Sequence, residues 1–475
     1  MRYKLLGSST SGARWRGGVA AVAVVVVACG ATSSRNREVV APIADSACTA
    51  SAGATGPVGQ AGGETPDVDG DGRFDLVVGV FGDDGDDAIA VVPGSAQGPD
   101  LAHRTLFTRE DFGLTDDREP MTSGYAGPIV ADLDGDGYPD LIAGGAARVQ
   151  WGGPEGPDPA RAPTRLALPH LDKHRPGRAG PGTYLDVPVA GDFDGDGHTD
   201  LATYRTNDPE RTLVVMHGPF TRDGRPARTT EQPDPDPRGL NVAPSLTLFA
   251  AEATGDDATD LIVYEPWSVM EPLLLAGGSD TESGLAADPE RLPAGQSVAV
   301  GDFDGDGRPD IAVGDSGMGD GEVAKPDSLG KVTIRYGKAP KAPVTVESGD
   351  RGSGFGMNLR AADLNGDGCD ELAVQRGPDV YAETDSVDVL RGGSSPGLGS
   401  EPWRHLERHG VKPGADELQD DELWSGELDA VGDFDGDGEE ELVLNAAAED
   451  DSPDWWIVDG NGKNLLTFTD DELTE

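Results

Sequence analysis

Positive charge is scarce in this chain: 37 lysines and arginines stand against 87 aspartates and glutamates, giving a formal net charge of -50. Nucleic acid and anionic lipid surfaces are both bound through positive surface, so neither fits as a partner, and cations are the natural counter-charge. Cysteine is scarce too, limited to Cys29, Cys48 and Cys369. The apolar run from Val19 to Ala28 is too short to cross a bilayer. Catalytic signatures are missing as well. No nucleophile motif occurs, and neither His170/His174 nor His405/His409 belongs to an HExxH zinc motif or has an identifiable third ligand. Acid pairs suited to glycoside hydrolysis are uninformative where acids are this abundant.

Glycine (69) and proline (36) are plentiful, and a hydrophobic content of 36% still provides a core. This composition favours short strands joined by turns over long helices. At the N-terminus Arg2, Lys4, Arg14 and Arg16 precede the apolar run, the pattern of an export signal over residues 1–28. Val26-Val27-Ala28-Cys29 resembles a bacterial lipobox, with Cys29 as the lipidated first residue of the mature chain. Ordinary signal cleavage nearby is the other processing route, and a retained membrane helix the minor alternative. Residues 29–60 read as a low-complexity tether. Acylation of Cys29 would leave Cys48 and Cys369 either as a disulfide or as two free thiols, and sequence offers no Cα separation to decide between them.

One nonapeptide dominates the remainder, residues 61–475. Its copies begin at Asp67, Asp132, Asp192, Glu252, Asp302, Asp363 and Asp433, with successive spacings of 65, 60, 60, 50, 61 and 70 residues. An apolar run follows each copy, for example Leu76 to Val80 and Ile311 to Val313. Another precedes all but the first, as in Val187 to Ala190 and Ser297 to Val300, so the nonapeptide is the loop of a β-hairpin. A second register, an apolar run ending in a glycine turn, falls between the acidic loops at Gly94, Gly152, Gly218, Gly277, Gly337, Gly392 and Gly460. Each unit thus holds four strands. Radial closure protects the sheet edges that an open array would expose, so the expected fold is all-β, a seven-bladed β-propeller of four-stranded blades with calcium loops in the blade hairpins. The first unit lacks a leading strand, and Val39 to Ile43 is a candidate to supply it.

Positions 1, 3, 5 and 9 of the loop carry oxygen-bearing side chains, and position 7 can offer a backbone carbonyl. Four carboxylates within nine residues repel one another unless a cation sits among them, and an all-oxygen set suits calcium. The expected ligands are Asp67, Asp69, Asp71, Arg73 and Asp75 in the first loop, and Asp132, Asp134, Asp136, Tyr138 and Asp140 in the second. The third loop offers Asp192, Asp194, Asp196, His198 and Asp200, and the fifth Asp302, Asp304, Asp306, Arg308 and Asp310. The sixth offers Asp363, Asn365, Asp367, Cys369 and Glu371, and the seventh Asp433, Asp435, Asp437, Glu439 and Glu441. The residue at position 7 contributes only its carbonyl. The fourth copy, with Glu252, Thr254, Asp256 and Asp260, has Asp257 in place of the turn glycine and is expected to be weak or empty. Six calcium sites and a seventh degenerate one are therefore expected. An EF-hand is rejected, because its position-12 glutamate is replaced by Val78, Ala143 or Val313.

Phe355-Gly356 ahead of DLNGDGCDELAV, and the segment DFDGDGRPDIAVG, resemble the FG-GAP (VCBS) repeat family, which includes the propeller of integrin α subunits. The resemblance implies a seven-bladed propeller braced by calcium. Most copies lack Gly-Ala-Pro after the loop, so integrin-type adhesion is not carried over. The expected function is an exported, non-catalytic binding or scaffold module at a bacterial cell surface, lipid-anchored or secreted, with calcium and an unknown protein or glycan as partners. The alternative is a carbohydrate-binding or carbohydrate-active propeller using exposed members of Trp151, Trp267, Trp403, Trp424, Trp455 and Trp456.

Overall fold

A computed structural model describes Cys48 and residues 66–474, apart from positions 81–86, 116–120, 122–127, 169–185, 208–209, 236–245, 267, 318–328, 338–341, 352, 377–385, 395–396, 401, 408–425 and 448–452. Cys29, the apolar run at Val19 and the candidate closing strand Val39 to Ile43 lie outside the described residues, as do His170, His174, His409, Trp267 and Trp424.

The strands form seven antiparallel sheets in chain order. Blade 1 holds β1 (Leu76–Val80), β2 (Ala88–Val92) and β3 (Thr105–Thr108). Blade 2 holds β4 (Ile129–Ala131), β5 (Asp140–Ala143), β6 (Arg148–Gln150) and β7 (Thr164–Arg165). Blade 3 holds β8 (Asp186–Gly191), β9 (Asp200–Asn207), β10 (Glu210–His217) and β11 (Arg228–Pro233). Blade 4 holds β12 (Thr247–Ala251), β13 (Asp260–Tyr264), β14 (Leu273–Leu275) and β15 (Glu290–Arg291). Blade 5 holds β16 (Ser297–Gly301), β17 (Asp310–Asp315), β18 (Leu329–Arg335) and β19 (Val344–Arg351). Blade 6 holds β20 (Leu359–Ala362), β21 (Glu371–Arg376), β22 (Ser386–Leu390) and β23 (Pro402–Glu407). Blade 7 holds β24 (Gly426–Gly432), β25 (Glu441–Ala447), β26 (Pro453–Val458) and β27 (Asn464–Thr469). Blades 2 to 7 have four strands each, and blade 1 has three among the described residues, in keeping with its missing leading run.

In blades 2 to 7 the acidic nonapeptide connects the first two strands, in blade 1 it leads into β1, and in every blade the glycine turn connects the last two described strands. The central strands are buried on both faces, so they read as continuous apolar runs such as Leu442 to Leu444 rather than as alternating ones. Their side chains build seven cores, each shared by two neighbouring blades. Blades 1 and 2 share the core that includes Ile89 and Leu141. Blades 2 and 3 share that of Ile142 and Val214, and blades 3 and 4 that of Val215 and Leu261. Blades 4 and 5 meet at Ile262 and Ile311, blades 5 and 6 at Ile334 and Leu372, and blades 6 and 7 at Val389 and Trp456. The last core joins blade 7 to blade 1 through Ile457, Phe468, Leu76 and Ala90, which closes the ring.

Position 2 of the acidic loop contributes one side chain to each of these cores. Val68, Leu133, Phe193, Ala253, Phe303, Leu364 and Phe434 are all buried, each in a different one. The backbone adds a second tie. The position-8 N–H groups of Thr259, Asp370 and Glu440 donate to the position-1 carbonyls of the preceding loops, at Asp192, Asp302 and Asp363. Phe74 N–H donates in the same way to the Asp433 carbonyl, so the first loop is tied to the last.

Cys48 and Cys369 form a disulfide with Cα atoms 5.6 Å apart, which settles the pairing that sequence left open. It lies between the fifth and sixth loops, where any Cβ added at Gly305 would run into both sulfurs.

Ring closure makes Phe434 equivalent to Phe303, although its partner blade lies at the other end of the chain. Phe434→Ala and Phe303→Ala should each destabilise the protein by about 3–5 kcal/mol in denaturant unfolding. A far smaller loss for Phe434→Ala would contradict closure.

Candidate metal centres

The loops share one hydrogen-bonding scheme. At position 1, Asp67 accepts the N–H groups of Gly70, Asp71 and Gly72 at 2.6, 3.1 and 2.8 Å. Asp132 repeats this with Gly135, Asp136 and Gly137, and Asp433 with Gly436, Asp437 and Gly438. Asp192, Asp302 and Asp363 keep the contacts to positions 5 and 6. At position 5, Asp71, Asp136, Asp196, Asp367 and Asp437 accept the N–H of position 7, namely Arg73, Tyr138, His198, Cys369 and Glu439. The position-7 residues therefore belong to the loop frame through their backbones, as expected, and Arg308 occupies the same place in the fifth loop.

Position 9 does more than the sequence suggested. Asp75, Asp140, Asp200, Asp260, Asp310, Glu371 and Glu441 are all buried, at 2% exposure or less. Asp75 accepts Val68 N–H at 2.7 Å with one oxygen and Gly94 N–H at 2.9 Å with the other. Asp140 does the same with Leu133 and Gly152, Asp200 with Phe193 and Gly218, and Asp260 with Ala253 and Gly277. Asp310 and Glu371 accept from Gly337 and Gly392, and Glu441 accepts from Phe434. One carboxylate thus links position 2, whose side chain enters the inter-blade core, to the glycine turn of its own blade. Close approach explains the turn residue: a Cβ at Gly152 would collide with the Pro139 carbonyl.

The acids converge as the spacing predicted. Carboxylate oxygens of Asp67, Asp69 and Asp71 lie within 4.8 Å of one another, as do those of Asp132, Asp134 and Asp136 and those of Asp192, Asp194 and Asp196. Burial pushes Asp75, Asp140 and Asp310 up to about 7 and Glu371 and Glu441 up to about 8. Burial, helped by Asp71, raises Asp69, and burial, helped by Asp437, raises Asp435. Asp194 Oδ1 and Glu371 Oε2 are buried carboxylate oxygens that accept no hydrogen bond. Such oxygens are costly unless a positive partner reaches them, so the donor set fits a hard divalent cation.

Protein cations meet some of these loops. Arg222 lies 2.5 Å from both Asp134 and Asp136, Arg391 is 3.3 Å from Asp367, and Arg228 pairs with Asp194. Arg73 joins Asp71 of its own loop to the Asp435 carbonyl of the seventh. Sequence spacing gave no signal for these arginines, which come from a turn of the next blade (Arg222), from β11 (Arg228), from beside a glycine turn (Arg391) and from the first loop itself (Arg73).

The fourth loop keeps the frame with different chemistry. Asp257 adopts φ +71°, the left-handed conformation that glycine supplies elsewhere, and Glu252 accepts the N–H groups of Thr254 and Gly255. The Thr254 hydroxyl donates to Asp260 at 3.3 Å, so position 3 presents a donor where most of the other loops have a carboxylate. Asn365 likewise donates to Glu371 at 2.6 Å in the sixth loop.

The remaining candidates lie elsewhere. His405 sits on β23 and pairs with Asp388 at 2.6 Å, so no helical face forms there. Trp151, Trp455 and Trp456 are buried in inter-blade cores. Trp403 is partly buried and is approached by Arg391 and Arg404, whose guanidinium carbons are 5.6 and 4.2 Å from its ring centroid. Phe355 packs in the core of blades 5 and 6, and Gly356, at φ +91°, accepts the Ser297 hydroxyl.

Residues 294–334, which contain the fifth acidic loop, β16, β17 and β18 short of its last residue, match the family model of the FG-GAP repeat. No curated protein matches the chain.

The raised position-9 carboxylates give metal-stripped protein a defined pH dependence. Each holds its proton more tightly folded than unfolded, so its contribution is complete below about pH 4. It is lost as pH rises through the folded values near 7 to 8. The melting temperature of metal-stripped protein should therefore fall from pH 5 to pH 8, and a rise over that window would contradict the assignment.

Proposed function

We propose that this chain, whose seven blades and fifth-loop match fit an FG-GAP β-propeller family, is an exported, calcium-braced binding or scaffold module without catalytic activity. The observation that carries the reading is the repetition of one oxygen cage. Side chains at positions 1, 3 and 5 converge in the first three loops, and every loop ends in a buried position-9 acid that holds the inter-blade core, the glycine turn or both. When bound, calcium would supply positive charge to these oxygens. Asp67, Asp69, Asp71 and Asp75, with their counterparts in the second, third, fifth, sixth and seventh loops, would hold it, together with the position-7 carbonyls. The protein's own part is to fix the loop backbone through the position-1 and position-5 hydrogen bonds, so that the oxygens are placed before an ion arrives.

The basic and apolar N-terminal segment with Cys29 supports export and a lipid anchor at the cell surface. Recognition of a protein or glycan would fall to the connections between blades. A sugar-stacking role gains nothing from the described tryptophans, which are buried or flanked by arginine.

Calcium that binds only the folded state should stabilise it by about 2.7 kcal/mol per site at a hundredfold excess over its dissociation constant. Adding calcium to metal-stripped protein should raise the melting temperature clearly, whereas no shift would count against the reading. Within that assay, Asp304→Asn with Asp306→Asn should remove more of the gain than Thr254→Val with Asp256→Asn. Equal effects would show that the fourth loop binds as well as the fifth.

A further inference from the structure

The third loop differs from its siblings in one side chain. The residue just before the glycine turn is Pro93, Trp151, His217, Ala276, Tyr336, Arg391 or Asp459 in blades 1 to 7. His217 alone brings an imidazole, and it does so from inside the blade at 1% exposure. Its Nδ1 lies 3.1 Å from Asp200 Oδ2 and 3.2 Å from Asp194 Oδ2, the position-9 and position-3 acids of the same loop. Its Nε2 lies 3.0 Å from the Thr230 hydroxyl, which in turn reaches the Val215 carbonyl at 3.5 Å.

With the Thr230 hydroxyl donating to Val215, its oxygen accepts from Nε2–H, which leaves the Nδ1 lone pair directed at two carboxylates. Three acceptors facing one another need positive charge, which either a proton on Nδ1 together with Arg228 on Asp194, or a divalent cation in their midst, supplies. Asp194 Oδ1 is a further buried oxygen there with no hydrogen bond. Ligand bonds of about 2.0–2.1 Å in a tetrahedral site put neighbouring donor atoms about 3.3 Å apart, close to the separations seen. The Nε2–Thr230 contact is the kind of outer hydrogen bond that fixes the ring of a metal-bound histidine.

We propose that the blade-3 loop, an acidic loop like its siblings, is a mixed nitrogen–oxygen centre in which His217, Asp194 and Asp200 take a borderline divalent cation of the zinc class in preference to calcium, while the oxygen-only loops take calcium. Imidazole suits zinc, cobalt and nickel, and carboxylate and carbonyl sets suit calcium. The proposal rests on the loops being metal sites, so the two ideas are tested on the same samples.

Full-length protein stripped of metal and then saturated with calcium is titrated with cobalt(II), read by its visible absorption, and metal content is measured after gel filtration. The expected result is one tightly held cobalt per chain with calcium retained at the other loops. His217→Gln should weaken cobalt binding at least tenfold without changing the other calcium ions, and Thr230→Val should weaken it less. His103→Gln, an exposed histidine remote from the loop, should leave it unchanged. Thermal melts in calcium check that each variant is folded. Cobalt uptake that is absent, or that is the same in wild type and His217→Gln, overturns the proposal even if calcium is bound throughout. Absence of calcium alongside a His217-dependent cobalt ion would instead sink the calcium reading and leave this one standing.

Discussion

A buried carboxylate at the end of every acidic loop is the constraint on which the architecture rests. Its oxygens take backbone N–H groups from position 2 and from the glycine turn, contacts complete in the first four blades. Position 2 cannot leave the inter-blade core without breaking that contact, and the turn cannot shift without stranding a buried charge. Loop, blade and neighbouring blade are therefore coupled through a single side chain. The cost of an unpaired buried charge makes the coupling stiff.

The same residue explains why electrostatics and packing are not separate subjects in this protein. In most loops acids stand at positions 1, 3 and 5, next to the buried acid at position 9. A cation among them would relieve repulsion and would also hold the group that ties the blades together. Where the charge is reduced, the protein substitutes hydrogen bonds, as Thr254 to Asp260 and Asn365 to Glu371 show. Arg222 of blade 3 brings positive charge to the second loop, whereas Arg228 on β11 and Arg391 beside its glycine turn serve the third and sixth loops of their own blades, so neutralisation is arranged across blades as well as within them.

Much of this was legible in the sequence, because turn glycines and alternating acids mark the loops and the apolar runs mark the central strands. β1 and Leu76 to Val80 coincide, and Val187 to Ala190, Ser297 to Val300 and Ile311 to Val313 fall inside β8, β16 and β17. The roles of positions 2 and 9 were less legible. Both are visible as patterns, apolar at Val68, Leu133, Phe193, Ala253, Phe303, Leu364 and Phe434, and acidic at position 9. What a pattern does not disclose is which distant backbone group it meets. Long-range pairings such as Arg222 with Asp134 or Cys48 with Cys369 depend on how distant segments come together, and that of Phe74 with Asp433 on closing the ring; local spacing does not fix any of them.

Elemental analysis of the purified protein, exchanged into metal-free buffer after calcium loading, tests the central claim most directly. The account predicts about six divalent ions per chain, in line with six intact acidic loops, with calcium the main element. A folded protein that carries no alkaline-earth metal after such loading would contradict it.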